Sequence, residues 1–520
     1  MSPSGGIWKL AIIFVIAAGV TFGIAMLRTN IMTKKIEARA YPLMLTELSD
    51  ENVSPEEWGR SFPSQYESYL RTREDSAYTN YGGSLPYSKL IRFPQLTRLW
   101  GGYAFAVDFN EERGHYYTQI DQIETMRNNQ AYLNASGLAK FKGQPGACMN
   151  CHSGWVPKLV RDIGWLEMNR TPYLDIVSHL EKNVGEGPHG SRLGSACADC
   201  HHPSDMSLRV TRPAYINAMK IRGYETSEKS GLVGSRQEMR SHVCQQCHVE
   251  YYFKKGTNEL TFPWSKWPKD EPFEIEMLDA YYDGLREIPD TFRQDWVHNE
   301  TGAPMLKIQH PETEMFSSGI HARSGVACAD CHMPFKREGA LKISDHHIRS
   351  PLFDVEASCK TCHSIPNEAI QARVALIQRK TASSLREAER SILALIDDVA
   401  TARGMMEELS DAEIEDVLES PRDFHRRASM RWDFVASENS TGFHAPQEAN
   451  RMLGQAIDYA RRGQLILQGN LQEHGIALAP TTGSGRLPEP SAVIAEHHPP
   501  VGSVPPAALM ELDRLAAPGQ

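Results

Sequence analysis

The most apolar stretch of the chain lies close to its N-terminus. Residues 10–27 form an uncharged, apolar run of eighteen residues between Lys9 and Arg28. In a helix this length just spans a bilayer, and it exceeds the apolar part of a usual cleaved signal. The nearest candidate cleavage site, Ala38-Arg39-Ala40, follows about a dozen residues too late. We therefore expect residues 1–40 to form an uncleaved membrane anchor and its flank.

A second pattern, with helical spacing, fills residues 366–475. Mostly apolar positions from Ile370 to Val399 recur at steps of four and three, which predicts a long helix with a coiled-coil-like seam. Ser420-Pro421 predicts the start of a second helix, and residues 446–470 predict a third. Long helices packed side by side favour a dimer interface, although a bundle within one chain explains the seam equally well. Residues 476–520, rich in Pro, Ala and Gly without periodicity, predict a disordered tail.

Residues 91–365, by contrast, show no sustained strand alternation, and their character comes from cysteine and histidine. The chain has 10 Cys and 20 His, and every Cys falls in a Cys-x-x-Cys-His motif. With no Cys left over, a disulfide-built module and a free-thiol enzyme are both excluded. The five motifs consist of Cys148, Cys151 and His152; Cys197, Cys200 and His201; Cys244, Cys247 and His248; Cys328, Cys331 and His332; and Cys359, Cys362 and His363.

This spacing has a covalent and geometric meaning. Two thiols three positions apart reach the two vinyl groups of one haem, and the adjacent histidine reaches its iron. Paired Cys-x-x-Cys units can also hold zinc, but zinc does not require histidine directly after the second Cys. A thioredoxin-type redox motif needs one copy rather than five. The motifs therefore predict five covalently bound c-type haems.

Haem attachment of this kind takes place outside the cytoplasm, so the chain is expected to be exported. Positive charges that follow the apolar run, such as Arg28 and Lys34, favour the opposite orientation. The five haem motifs are the stronger signal, so we expect a periplasmic protein, anchored to the cytoplasmic membrane through residues 10–27. The net charge of −10 argues against a nucleic-acid partner.

Each motif histidine provides one axial ligand. A haem that only transfers electrons usually has a second strong protein ligand, whereas a haem without one can bind a substrate. Spacing alone does not identify which other histidines supply these second ligands.

The segment Cys244-Gln-Gln-Cys-His-Val-Glu-Tyr-Tyr-Phe253, followed by Lys307-Ile-Gln-His-Pro-Glu312, resembles the pentahaem cytochrome c nitrite reductases, which form ammonium. Further matches occur in the family's order over roughly residues 55–470. They are Trp58 with Phe62-Pro63 and Gln65-Tyr66, Arg113-Gly-His115, Glu124-Thr-Met-Arg127, Cys328-Ala-Asp-Cys-His-Met-Pro334, Asp345-His346, Arg431-Trp-Asp433 and His444-Ala-Pro446.

The resemblance implies a mainly α multihaem cytochrome c fold with sparse strands, a haem-packed core in residues 41–365 and long C-terminal helices. It makes the haem of Cys148 and Cys151 the catalytic one, with an open distal face. The commonest form of the family has lysine as the proximal ligand there, so His152 marks a histidine variant. The second to fifth haems would take their distal ligands from His346, His115, His444 and His321, respectively.

The resemblance also assigns the residues around the open haem. Arg127, Tyr251 and His310 match the family's distal active-site residues. In the implied reaction, the six-electron reduction of nitrite to ammonium, Arg127 and protonated His310 would bind the anion. Tyr251 and His310 would donate protons. A calcium ion would lie nearby, held by Glu250 and Gln309 and by the backbone carbonyls of Tyr251 and Lys307.

Two further functions stay open at this stage. The chain could be a multihaem electron-transfer cytochrome that has lost catalysis, or a related enzyme that converts hydroxylamine or sulfite. As partners, the resemblance implies a multihaem quinol dehydrogenase or a soluble cytochrome as electron donor, and a second copy of the chain in a homodimer.

Overall fold

Helices dominate the computed structural model, which describes residues 4–37, 44–264, 267, 269, 271, 273–288, 292–339, 341–482, 485 and 504–516. Most helices before residue 366 are short, as expected where Gly and Pro are frequent and no long periodicity exists. They are α1 (Ser4–Glu37), α2 (Pro55–Ser61), α3 (Pro63–Leu70), α4 (Lys89–Arg92), α5 (Leu96–Leu99), α6 (Thr118–Glu124), α7 (Gln130–Ala135), α8 (Met149–His152), α9 (Val156–Asp162), α10 (Trp165–Arg170), α11 (Tyr173–Val184), α12 (Cys197–Cys200), α13 (Pro213–Ile221), α14 (Arg236–Gln245), α15 (Ile275–Arg286), α16 (Glu312–Ser317), α17 (Ile320–Arg323), α18 (Cys328–His332) and α19 (Val355–Ser358).

Five 3-10 turns join these helices, counted over the described residues: Arg71–Arg73, Ala104–Ala106, Met126–Asn128, Gly146–Cys148 and Pro351–Phe353. In the same residues, strands occur only as two-stranded antiparallel pairs. The pairs are β1 (Tyr78–Thr79) with β2 (Gly82–Gly83), β3 (Thr226–Ser227) with β4 (Gly231–Leu232), β5 (Tyr252–Phe253) with β6 (Leu260–Thr261), β7 (Trp296–Val297) with β8 (Pro304–Met305), and β9 (Phe335–Glu338) with β10 (Leu341–Ser344). The predicted mainly α fold with sparse strands is confirmed.

Three long helices follow: α20 (Asn367–Met405), α21 (Asp411–Ser437) and α22 (Pro446–Glu473). The seam of α20 is buried within the chain. Leu385 and Ile392 join a core cluster that includes Trp432 of α21 and Leu453 of α22. Packing inside one chain therefore explains much of the seam, while the dimer stays a prediction.

The predicted start of the second long helix at Ser420-Pro421 is wrong. The helix begins at Asp411, where Ser410 and Glu413 form a capping box, and Pro421 lies in its interior. Proline has no N–H for the carbonyl of Val417 one turn back, and this loss normally breaks a helix. Here the side-chain amide of Asn470 on α22 donates to that carbonyl at 2.9 Å, so the helix continues.

The predicted disorder of residues 476–520 is wrong where the tail is described. Ile476 packs against a cluster of buried apolar residues from α20, α21 and α22, and the Thr481 N–H donates to Asp398 at 2.8 Å. A further helix, α23 (Ala507–Ala516), buries Leu509 and places Asp513 2.6 Å from Arg92. One buried apolar residue and one ion pair thus hold this helix against the rest of the chain, although the composition of the tail predicts disorder. Residues 483–484, 486–503 and 517–520 lie outside the described part.

Helix α1 corresponds to the predicted anchor. Its segment Trp8–Lys34 has a mean hydropathy of 2.6, is long and apolar enough to cross a membrane, and is not buried against the rest of the chain. A signal sequence meets the same criteria, so retention of the segment stays a prediction.

Candidate haem-binding active site

One continuous cavity of about 2200 Å³ runs through residues 58–446. Both Cys and the His of every motif line it. Protein interiors are close-packed and contain few voids larger than a water molecule, so bound groups have to fill a cavity of this volume. All ten Cys lie in the described part of the chain, and none forms a disulfide. Cavity and cysteines therefore fit covalently attached haems.

Single helical turns position the cysteines, because residues three apart lie on one face of a helix. In the two Cys-Ala-Asp-Cys-His motifs an aspartate fixes the turn. Asp199 accepts the N–H of Ala196 at 2.8 Å, and Asp330 accepts the N–H of Ala327 at 2.9 Å. Asp199 also pairs with the buried Arg212 at 2.7 Å, and Asp330 pairs with the buried Arg240 at 2.9 Å.

Four motif histidines each face a second imidazole that is distant in sequence. Metal–nitrogen bonds of about 2.0–2.1 Å, with ring nitrogens roughly 1.1 Å from the ring centre, place two imidazoles on opposite sides of a metal about 6.3 Å apart. The observed ring-centre distances are 6.2 Å for His201 and His346, 6.4 Å for His248 and His115, 6.5 Å for His332 and His444, and 6.3 Å for His363 and His321. Each pair thus has the spacing of two axial ligands.

The fifth motif histidine, His152, has no such partner among the described residues. Its Nδ1 lies 3.2 Å from the backbone carbonyl of Thr118, and the ring is buried. The side chains of Arg127, Tyr251 and His310 line the same cavity. The molecule therefore combines four paired histidines with one unpaired histidine and three polar side chains.

Arg127 is held by Asp108, a residue that the motifs did not reveal. The guanidinium donates to the carbonyl of Asp108 at 2.7 Å and lies 4.2 Å from the ring centre of Phe105. The Asp108 carboxylate accepts from Thr125 Oγ1 at 2.6 Å and from the Met126 N–H at 2.8 Å. These contacts fix the turn that carries Arg127.

His310 is buried in the cavity, and its surroundings act on its protonation. Burial lowers the pKa of this histidine, while the carboxylates of Glu312 and Glu112 act in the opposite direction. The ring is thus biased towards the neutral form, because the cavity removes it from water. A bound anion would favour the protonated form. Burial also raises the pKa of Tyr251 well above its ordinary value, so the phenol keeps its proton.

The residues predicted to bind calcium meet beside this site. Glu250 is fully buried, its Oε2 accepts the N–H of Gln309 at 2.7 Å, and its Oε1 has no hydrogen-bond partner. Burial raises the pKa of this carboxyl well above its ordinary value. A buried carboxylate oxygen without a partner is costly unless a cation compensates it.

Lys307 points its ammonium group away from Glu250, towards Asp433 and Ser437, both at 2.9 Å. This leaves the backbone carbonyl as the group that Lys307 could offer a cation. No cluster of three or more His, Cys, Asp or Glu side chains that could hold a metal occurs among the described residues. The predicted set would not form such a cluster, since Glu250 is its single carboxylate.

Comparison with known proteins identifies the family. The family profile described as cytochrome c552 matches residues 54–494. The chain belongs to the cytochrome c552 family. Curated relatives include a cytochrome c-552 of Bacteroides fragilis strain YCH46, 33% identical over 90% of this chain and 87% of the relative. A cytochrome c-552 of Desulfotalea psychrophila is 34% identical over 81% of this chain and 76% of its own length.

A solved structure resembles this cytochrome over most of both chains. The cytochrome c nitrite reductase of Desulfovibrio desulfuricans, whose catalytic subunit is described as having two calcium sites, superimposes with a TM-score of 0.71. The two are 31% identical, and the match covers 82% of this chain and 88% of the other. The multihaem cytochrome fold predicted from the sequence is therefore confirmed.

In this cytochrome, the Nδ1 atoms of several cavity histidines contact backbone carbonyls. His201 lies 2.9 Å from the Met206 oxygen, and His346 lies 2.9 Å from that of Ser344. These contacts fix the ring orientation, and no sequence motif predicted them. One further histidine, His444, meets a carboxylate instead: its Nδ1 lies 2.5 Å from Glu438.

Proposed function

We propose that this cytochrome reduces nitrite to ammonium with six electrons at the haem that Cys148 and Cys151 would hold. The observation that carries the proposal is the asymmetry of the cavity histidines. Four motif histidines have a second imidazole at about 6.3 Å, whereas His152 has none among the described residues. An iron with one protein ligand can bind a substrate.

Five c-type haems would occupy the cavity, one on each motif. The haems would supply electron storage, electron transfer and the open iron on which the bond chemistry depends. The distal ligands of the second to fifth haems would be His346, His115, His444 and His321. His152 would be the proximal ligand of the first, in the histidine variant of the family.

The chain's own residues would bind the anion and supply protons. Arg127, held by Asp108 with its guanidinium buried, offers a fixed positive charge. His310 would take up a proton as the anion binds and pass it on, since burial alone lowers its pKa. Tyr251 would hold a second proton on its phenol and orient the bound intermediate.

Calcium would bind the unpartnered oxygen of Glu250, the amide oxygen of Gln309 and the carbonyls of Tyr251 and Lys307. The two calcium sites of the Desulfovibrio desulfuricans enzyme support this assignment. A cation there would fix the segment from Lys307 to His310 by its backbone and so hold the His310 ring in place.

The enzyme would work in the periplasm, anchored through residues 10–27, as a homodimer. A multihaem quinol dehydrogenase or a soluble cytochrome would supply the electrons. The length and hydropathy of Trp8–Lys34 support the anchor.

The test is stoichiometric. Purified protein with reduced viologen should convert each nitrite to one ammonium, with six electrons consumed. If all haems are reduced but no ammonium forms, the result would favour an electron-transfer cytochrome. Faster turnover of hydroxylamine or sulfite than of nitrite would favour a related reductase.

A further inference from the structure

A buried carboxylate stands beside one of the histidine pairs. Glu438, directly after α21, is 2% exposed, and its Oε1 lies 2.5 Å from Nδ1 of His444. No lysine or arginine of the described residues forms an ion pair with it. A carboxylate inside a protein is costly unless a positive group compensates it. His444 is the group in position to do so.

A tight loop holds this carboxylate in place. The backbone N–H and the hydroxyl of Ser440 donate to Glu438 at 3.2 Å and 2.8 Å, and Ser440 Oγ accepts the N–H of His444 at 2.9 Å. Thr441 and Gly442 have φ values of 51° and 79°, which turn the chain back on itself. The side chain of Glu438 therefore faces His444 without freedom to swing into solvent.

The other paired histidines differ in what faces Nδ1. Three of them have a backbone carbonyl beside Nδ1: that of Met206 at 2.9 Å from His201, that of Arg349 at 3.1 Å from His332, and that of Ser344 at 2.9 Å from His346. Glu312 is the other carboxylate near such a nitrogen, and it lies 3.9 Å from His248. Among the paired histidines of the described residues, His444 is thus the one with a carboxylate oxygen closest to Nδ1, at 2.5 Å.

We propose that Glu438 is a positioning residue that lowers the reduction potential of the haem on Cys328 and Cys331. The inference rests on the proposed function, in which His444 is the distal ligand of that haem. The observed contact places a carboxylate oxygen 2.5 Å from Nδ1 of the His444 ring, so its negative charge lies beside that ring. A nearby negative charge favours the ferric over the ferrous state, because the ferric state carries one more positive charge.

The haems of the electron-transfer chain would therefore have unequal reduction potentials. The haem beside Glu438 holds an electron less tightly than it would with a neutral neighbour, so it passes electrons on readily to the haems around it. In the pair that contains His248 the nearest carboxylate, that of Glu312, lies farther away, at 3.9 Å, so this effect would lower the potential of that haem less.

The test compares E438Q with wild-type protein, both as the full haem-loaded chain. Glutamine keeps the shape and a hydrogen-bond acceptor but removes the charge. A potentiometric titration followed by electron paramagnetic resonance should show one low-spin haem with a raised midpoint potential and the others unchanged. E438D, which keeps the charge, should return that haem towards the wild-type value.

Glu448, a partly exposed carboxylate on α22 paired with Arg451, provides the matched control. E448Q should leave every potential unchanged. Unchanged potentials in E438Q, or an equal shift in E448Q, would overturn the inference. If E438Q does not accumulate with its haems, E438A replaces it as the charge-removing variant: an upward shift of the same haem supports the inference, and no shift refutes it.

H444A separates this inference from the proposed function. If His444 is an iron ligand, the variant converts one low-spin haem to a different spin state or ligation. All haems remaining unchanged in H444A would overturn the ligand assignment itself. A changed haem in H444A together with unchanged potentials in E438Q would overturn only the role of Glu438.

Discussion

The ion pair between Lys307 and Asp433 gives the strongest prediction about stability near the active site. Both side chains are 2% exposed, and Nζ lies 2.9 Å and 3.0 Å from the two carboxylate oxygens. Asp433 also accepts the N–H of Ile308 at 3.0 Å. D433N leaves a buried ammonium without a counter-charge, and removal of one partner from such a pair costs about 3–5 kcal/mol. We expect the free energy of unfolding to fall by this amount.

Guanidinium unfolding of haem-loaded protein, followed by tryptophan fluorescence, measures the change. The matched control is D458N, which breaks an exposed pair with Arg462 on α22 at 3.5 Å and should cost only about 0.3–0.5 kcal/mol. The double variant K307M/D433N should recover part of the loss, because it leaves no buried charge unpaired. A loss in D433N no larger than that in D458N would refute the reasoning.

Three further predictions concern catalysis, calcium and the long helices. R127A should lower nitrite turnover by roughly 10²–10³-fold, as expected for loss of one charge-stabilising group. The haem content, measured by mass spectrometry, should be unchanged. Near-normal turnover would contradict the role of Arg127 in binding nitrite. Burial raises the pKa of Glu250, so calcium should displace a proton there, and the calcium affinity of chelator-treated protein should rise with pH. Calorimetry in buffers of different ionisation enthalpy would detect the released proton. If no proton is released, the calcium site is contradicted. N470A should cost about 1–3 kcal/mol by leaving the Val417 carbonyl unsatisfied, whereas N450A, at an exposed position on the same helix, should change unfolding by less than about 0.5 kcal/mol.

The parts of the fold predicted from sequence are those governed by local geometry. Cysteines three apart with an adjacent histidine reflect attachment to one haem, so the spacing alone indicated the cofactor. The apolar seam of α20 likewise follows from a local repeat of apolar positions along the sequence, so the helix was predictable. The partners of the motif histidines are different, because His115 and His444 come from distant segments. Only the resemblance to a known family suggested those pairings, and their ligation of iron remains a proposal.

The errors have a common physical cause. Proline favours the first turn of a helix, which predicts a start at Pro421, yet a side chain on another helix replaces the missing hydrogen bond. The composition of the tail predicts disorder, yet Leu509 and Asp513 fasten a short helix to the rest of the chain. In both cases a tertiary contact overrides a local preference. The contact between Glu438 and His444 has a different origin, since a local loop with two positive φ values creates it.

The central claim is that five haems have nine histidine ligands and one open face. Electron paramagnetic resonance and magnetic circular dichroism of the ferric protein measure this directly. The account predicts four low-spin haems with two histidine ligands each and one haem that lacks a second protein ligand and changes its spectrum when nitrite is added. Five low-spin haems with two protein ligands each, unaffected by nitrite, would contradict it.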